Sequence, residues 1–329
     1  MYKPKPQQLP EHLKEGASIM KIIRLLLIGF FLCIICMTSV SYAKKITIVT
    51  STADLAALAE EIGKDKVKVM SIAKPTEDPH FVDAKPSFMV KLNRADLFIE
   101  SGLELEIGWL PTLVIGARNN KILPGKPGYL LASSGIRAIE VPAPEMSDRL
   151  MGDIHPLGNP HYMLDPLNGK IVAGRICDRL CQIDPENCDC YKSNLYEFTQ
   201  KLNRKLSEWQ SMLSPFLDTK IITYHKTWGY FAERFQLNII GELEPKPGIP
   251  PSPSHLKNLI WRMNNEEVKL IIISSFREQR SPEFVAAKTG AKVLALPIMP
   301  GGQKETMDYI DMFDHIVNQI VSALKTKTT

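Results

Sequence analysis

The sequence predicts an α/β protein built on parallel, doubly wound sheets. Short β-rich runs alternate with helical segments both before and after the middle of the chain, and strands that alternate with helices pair in parallel. Between the two halves, residues 186–212 contain neither glycine nor proline, which favours one continuous helix of about 40 Å at about 1.5 Å per residue. A helix of that length could cross the molecule and join two lobes.

In the first half, runs rich in isoleucine and valine are each followed by a helix-forming run. Ser51-Thr52 supplies an N-cap between the first strand and the first helix. A stretch rich in proline and glycine at 141–160 predicts a loop, and Asp165-Pro166 opens a helix that reaches about residue 182. The predicted strands are 45–50, 67–72 and 96–100, and the predicted helices before the loop are 53–62, 86–93 and 109–117.

The alternation resumes after Pro215, with Ser254 as the predicted cap of a helix that ends at Asn264. The predicted strands are 220–224, 238–243, 268–274 and 292–296, and the other predicted helices are 228–235, 282–288 and 307–324. The length suits two domains that each bury a core. We therefore predict an N-terminal lobe at 44–185, a connecting helix at 186–214 and a C-terminal lobe at 215–329.

Residues 1–43 have the pattern of a signal peptide, with Met20 as an alternative start. Two basic residues precede an apolar run at 25–37, which is too short for a comfortable membrane span. Small side chains near Ala43 stand at the positions that a signal peptidase reads. The sequence therefore predicts an exported, periplasmic protein whose signal peptide is cleaved near Ala43.

The charge and the cysteines narrow the class further. The chain has 40 Lys and Arg against 36 Asp and Glu, without a basic block, which argues against nucleic acid as a partner.

Four cysteines remain after export: Cys177, Cys181, Cys188 and Cys190. In an oxidising compartment they predict one or two local disulfides that join a helix end to the next helix start, although the pairing stays open and a thiolate zinc site is the alternative.

Three histidines from separate parts of the chain are the candidate metal ligands. His80 follows the second predicted strand, His161 lies between a loop and a helix, and His225 ends the strand at 220–224. Ligands of open α/β sheets bind beyond the carboxyl ends of the strands, and imidazole binds zinc at neutral pH. One such histidine is more often structural, but three at such positions predict a metal site in the cleft between two lobes.

Several motifs resemble those of the metal-binding receptors of zinc and manganese ABC importers. They are Asp78-Pro79-His80 with Lys85-Pro86-Ser87, the run from Asn159 to Pro166, Tyr224-His225 with Trp228 to Phe231, and the run from Pro247 to Ser252. The resemblance covers essentially all of residues 44–325. It implies two α/β lobes, a long rigid connecting helix and a buried metal between the lobes.

The chain departs from that family at one ligand position. Many members carry an aspartate just after the strand that matches 292–296, where this chain has Pro297. The fourth position is therefore assigned to water or to another donor, for which Glu278 and His155 are candidates. We expect His155 rather to lie in the loop and to help capture or hand over metal. The remaining candidates, His255 and His315, fall on predicted helices and are expected to be structural or solvated.

The third ligand bears on the choice of metal. By the resemblance, manganese receptors typically have a carboxylate where this chain has His225, and manganese favours oxygen donors. The nitrogen-rich site therefore favours Zn²⁺ over Mn²⁺, although intrinsic affinity does not exclude copper or nickel.

The sequence thus predicts an exported, monomeric, high-affinity zinc receptor that delivers Zn²⁺ to the membrane permease of an ABC importer and catalyses no reaction. Three histidines with an open fourth position also suit a zinc-dependent hydrolase or lyase. The chain has no H-E-x-x-H helix and no nucleophile motif, which disfavours that alternative. A manganese-type receptor or an adhesin of the same fold is the other alternative.

Overall fold

In a computed structural model of the chain, the described residues are 2, 20–21, 23–27, 44–143 and 154–325. The contacts divide the chain into Met1–Lys44 and Lys45–Thr329. Within the predicted signal peptide, residues 20–21 and 23–27 are helical and exposed, and the predicted cleavage site near Ala43 lies outside the described residues. Nowhere in the described ranges is a helix both long enough and apolar enough to cross a membrane.

Two four-stranded parallel sheets share one strand order. The first runs β2-β1-β3-β4 and the second β6-β5-β7-β8. Their strands are β1 (Ile46–Thr50), β2 (Val67–Ser71), β3 (Leu97–Glu100), β4 (Tyr129–Leu131), β5 (Lys220–Thr223), β6 (Asn238–Glu242), β7 (Leu270–Ser274) and β8 (Lys292–Leu296). The order reverses between β1 and β3 and between β5 and β7, so each sheet has a switch point at which α/β proteins bind ligands. We call each sheet with its helices a lobe, and the predicted fold class is confirmed.

The helices follow the strands in the predicted alternation. They are α1 (Ala53–Gly63), α2 (Pro86–Asn93), α3 (Leu110–Ala117), α4 (Pro166–Ile183), α5 (Cys188–Leu213), α6 (Gly229–Phe235), α7 (Pro253–Asn265), α8 (Arg280–Thr289) and α9 (Tyr309–Lys325). The long helix α5 covers nearly all of the predicted stretch at 186–212: it begins at Cys188 and ends at Leu213.

Two local predictions were wrong. The strand β4 was missed because it is three residues long and follows Pro127-Gly128, a pair that signals a turn. The cap of α7 is Ser252 rather than Ser254, since the Ser252 hydroxyl accepts a hydrogen bond from the His255 amide at 3.2 Å. Proline is favoured in the first turn, where no amide hydrogen is required, so the helix begins at Pro253 and its cap lies one residue earlier.

The two lobes share one continuous apolar core. Successive strand residues point to opposite faces, so Ile48 and Ile221 enter the shared cluster whereas Val49 and Ile222 enter separate clusters on the outer faces. The helix α5 contributes Trp209 to the shared cluster. Because one buried cluster spans both sheets and the long helix, the lobes are held in a defined mutual position.

A local disulfide closes the junction between α4 and α5. Cys181 pairs with Cys188, seven residues later, which confirms a bridge from one helix end to the next helix start. Cys177 is buried and Cys190 is exposed, and both are unbridged. The alternative of four thiolates around zinc is therefore excluded in this state, because two of the four sulfurs are bonded to each other.

Candidate metal centre

The three candidate ligands enter the site from loops that neighbouring groups hold in place. The loop after β2 carries His80, and its Pro79 carbonyl accepts a hydrogen bond from the Trp109 indole at 2.9 Å. His225 directly follows Tyr224 at the carboxyl end of β5, next to the switch point of the second sheet. Both His80 and His225 thus lie beyond the carboxyl end of a strand, where open α/β sheets bind ligands.

The position of His161 is set by two polar side chains around it. Asn159 accepts from the His161 amide at 2.9 Å and donates to the Lys226 carbonyl at 2.6 Å, which ties the segment of His161 to that of His225. Asp165 caps α4, and its carboxylate accepts hydrogen bonds from Nε and Nη2 of the Arg234 guanidinium at 2.7 Å each. The backbone of His161 is therefore held from both sides before any ligand binds.

The structure brings His80, His161 and His225 together in the interior. One nitrogen from each lies within 4.8 Å of the other two, and all three residues are buried. The ring centroid of His80 lies 5.0 Å from that of His161 and 5.5 Å from that of His225. Buried polar groups normally have partners, yet Nε2 of His161 has no hydrogen-bond partner among the described residues. A cation that accepts lone pairs would satisfy this arrangement.

Two carboxylates orient two of the rings. Nδ1 of His80 lies 2.7 Å from Asp78, and Nδ1 of His225 lies 2.7 Å from Glu244. A neutral imidazole that donates from Nδ1 carries its lone pair on Nε2, which is the form that ligates a metal. Carboxylate partners of this kind fix the tautomer and the ring orientation in metal sites.

Arg277 connects these carboxylates across the two lobes. Its guanidinium lies 3.1 Å from Asp78, in the loop after β2, and 3.5 Å from Glu244, after β6. The guanidinium also lies over the Tyr224 ring at 5.4 Å. Sequence reasoning assigned no role to Asp78, Glu244 or Arg277. Asp78 could have been found from the sequence, since it is two residues before the candidate ligand His80. Glu244 and Arg277 are brought close to the metal site only by the tertiary fold.

The electrostatics of the site favour neutral His161 and His225 and a charged Asp78. Burial, with the neighbouring histidines, holds the pKa of His161 well below its usual 6.5. Burial also lowers the pKa of His225, although the hydrogen bond to Glu244 acts in the opposite direction. Burial alone would raise the pKa of Asp78, but the hydrogen bond to His80 and the charges of His80 and Arg277 together lower it to about 2. The metal-binding protonation state is therefore the resting state of these groups.

We expect His161 to remain neutral in the metal-free protein when the pH falls from 7.5 to 6, and His225 to take up its proton below the usual pKa of 6.5. Their pKa values lie below 6.5 in the folded state, so the unfolded chain takes up protons first and acid destabilises the folded form. Metal affinity should fall only once these imidazoles are protonated. NMR titration of the imidazole Cε1–H signals checks this, with His315 on α9 as the reference. An inflection of the His161 signal at pH 6.5 or above would contradict it.

The remaining candidates occupy different positions. Glu278 is exposed, accepts from the Tyr224 hydroxyl at 3.2 Å and from the Ser281 amide at 3.2 Å, and is outside the group of three histidines. Pro297 is buried, and the apolar Ile298 and Met299 that follow it border a small cavity beside His161. His255 lies on α7 with Nε2 2.9 Å from the Glu242 carbonyl. His155 lies beside His80, with ring centroids 5.2 Å apart.

A cavity leads to the histidines from one side. Its volume is about 250 Å³, and it is lined by His155, His161 and His225 together with Glu140, Lys226 and several prolines. The Lys226 ammonium lies 3.7 Å from the Glu140 carboxylate at this opening. The cavity thus marks the side from which a small ion would approach His161 and His225.

A buried, nitrogen-lined site between two parallel α/β lobes is the arrangement of a metal-binding receptor, a protein that holds an ion for transport rather than transforming a substrate. The chain belongs to the ZnuA family, described as the periplasmic component A of the zinc-uptake complex, whose model matches residues 48–323. It is a substrate-binding protein of a metal ABC transporter and not an enzyme. Such proteins work with membrane permease and ATPase components.

Relatives in this family are named for different metals. The chain is 26% identical over 288 residues to the manganese ABC transporter substrate-binding lipoprotein PsaA of Streptococcus pneumoniae, covering 86% of this chain and 89% of that protein. It is 28% identical over 255 residues to a metal ABC transporter substrate-binding lipoprotein of Lactococcus lactis, covering 76% and 78%. A crystal structure of a ZnuA deletion mutant with zinc bound superposes with a TM-score of 0.72 at 26% identity, covering 86% and 100%.

Proposed function

We propose that this protein is an exported receptor that binds one Zn²⁺ through His80, His161 and His225 and delivers it to the permease of an ABC importer. The observation that carries the proposal is the convergence of three buried imidazole nitrogens within 4.8 Å, a group without any carboxylate among the described residues. Imidazole suits zinc, whereas manganese is favoured by oxygen donors. The nitrogen donor set therefore supports zinc over the manganese named for PsaA.

The environment of the site supports a transport role. The carboxylates of Asp78 and Glu244 face the Nδ1 atoms, which leaves Nε2 as the ligand nitrogen of His80 and His225. The shared core and the Arg277 ion pairs join the lobes, which favours capture and release through local rearrangement rather than wide opening. We infer a monomer with lobes at 44–185 and 215–329 on either side of a connecting helix at 186–214.

Export is part of the proposal. The predicted signal peptide supports a location outside the cytoplasm, as do relatives named as lipoproteins. Neutral imidazoles would be maintained at the near-neutral pH of such a compartment, because burial lowers the pKa of His161 and of His225.

Metal analysis tests the choice of zinc. The mature protein is purified without added metal, analysed by inductively coupled plasma mass spectrometry, then stripped and dialysed against equal concentrations of Zn²⁺ and Mn²⁺. We expect close to one zinc per chain and little manganese. Retention of manganese in preference to zinc, or the absence of a stoichiometric metal after dialysis, would overturn the proposal.

A further inference from the structure

A fourth imidazole stands beside the three that form the proposed zinc site. The ring of His155 lies 5.2 Å from that of His80, between centroids. This separation falls within the range of the other three pairs, which are 5.0 Å for His80 and His161, 5.5 Å for His80 and His225, and 5.5 Å for His161 and His225. By its ring distance from His80, His155 lies next to the cluster of three histidines.

These spacings match what one zinc ion would require. With Zn–N bonds of about 2.0–2.1 Å and tetrahedral angles, the centroids of two bound imidazoles are about 5 Å apart. Packed aromatic rings have centroid separations of about 4.5–7 Å as well, so the metal site is indicated by the convergence of three imidazole nitrogens within 4.8 Å rather than by the ring spacing alone. The four centroid separations, one of which involves His155, are compatible with imidazoles arranged around one tetrahedral ion.

The burial and the location of His155 agree with this arrangement. Both of its ring nitrogens are inaccessible to solvent, and its side chain lines the same cavity as His161 and His225. A turn holds its backbone, since the His155 carbonyl accepts from the Gly158 amide at 3.0 Å. His155 therefore faces the cluster from the cavity side.

The other possible donors point elsewhere. Glu278 is exposed and is bound to Tyr224 and Ser281. Beyond β8, Ile298 and Met299 offer an apolar surface beside His161, apart from the weakly coordinating thioether. Structural zinc sites have four ligands, so a site with three histidines has one position to fill.

We propose that His155 is the fourth ligand and that the bound ion is held by four imidazole nitrogens. This inference rests on the proposed function, because it concerns the same zinc site. The nitrogens of His155 are outside the group that lies within 4.8 Å, so its ring moves towards the ion when the ion binds. A site with four nitrogen donors selects borderline cations such as Zn²⁺ and Co²⁺ and disfavours Mn²⁺, which prefers oxygen.

The test compares the wild-type protein with His155→Ala, His155→Gln and the control His315→Ala, each loaded with Co²⁺ and with Zn²⁺. Co²⁺ reports its ligands through its visible absorption, which is strong for tetrahedral and weak for higher coordination. We expect both His155 variants to lose absorption intensity and to bind Zn²⁺ at least about tenfold more weakly, since even an outer partner of a ligand contributes that much. Added free imidazole should restore the intensity in His155→Ala but leave the wild type unchanged.

The outcomes separate the two proposals. A wild-type protein that binds Zn²⁺ while both His155 variants keep its Co²⁺ spectrum and its affinity would overturn the fourth ligand and leave the three-histidine receptor standing. A wild-type protein that binds no Zn²⁺ would overturn both. Circular dichroism confirms that the variants are folded, and His155→Gln preserves side-chain volume if the alanine variant is unstable.

Discussion

Replacement of His161 by alanine is expected to lower Zn²⁺ affinity by at least about 100-fold. Four-ligand zinc sites contribute about 10–16 kcal/mol in total, so one ligand accounts for about 3 kcal/mol or more. His161 is the cleanest of the three positions to test, because its Nε2 has no hydrogen-bond partner among the described residues. In contrast, removal of His80 would also take a hydrogen-bond partner from Asp78, and removal of His225 would take one from Glu244.

Competition titration with a zinc chelator measures this effect. The matched control is His315→Ala, which removes an imidazole from α9 and should leave the affinity unchanged. His80→Ala and His225→Ala are expected to weaken binding strongly as well. If two of the three site variants bound Zn²⁺ as tightly as the wild type, the assignment of the site would be wrong.

Replacement of Arg277 by methionine should lower the free energy of unfolding of the metal-free protein by about 3 kcal/mol, the lower end of the range for breaking a buried ion pair. The guanidinium faces two largely buried carboxylates, Asp78 at 3.1 Å and Glu244 at 3.5 Å. Methionine retains much of the side-chain length but removes the positive charge, which leaves the two carboxylates without a counter-ion. The guanidinium also helps to lower the pKa of Asp78, so that pKa should rise in the variant.

Bound zinc should offset much of this loss. A dication among the imidazoles attracts the same two carboxylates, so Zn²⁺ should raise the stability of Arg277→Met more than that of the wild type. Urea unfolding followed by circular dichroism, with a chelator and with zinc, measures both differences. The control is Arg280→Met, which removes an exposed charge three residues along the chain. Equal urea midpoints for Arg277→Met and the wild type without metal would show that Arg277 does not hold the lobes together.

The sequence was most informative where local pattern and chemistry coincide. Short runs of β-forming residues located most of the strands, and the absence of glycine and proline at 186–212 located the helix α5, because these residue types act directly on the local backbone. The three histidines were found because each directly follows a strand or a loop that resembles a family motif. The strand β4 was not found, because three residues are too few to show an alternation of buried and exposed side chains. The cap Ser252 was not found, because Ser254 is a nearby serine that could also have capped the helix.

By itself, the sequence determined the α/β class, the alternation of the elements and the residues that could bind a metal, and it predicted a local disulfide without its pairing. Only the tertiary structure decided that Arg277 joins Asp78 to Glu244, that Glu278 is turned towards Tyr224, and that His155 stands beside His80. The reason is physical: propensities and caps act between residues a few positions apart. Contacts between loops of different lobes depend on how two sheets pack on one shared core, and no local pattern records that packing.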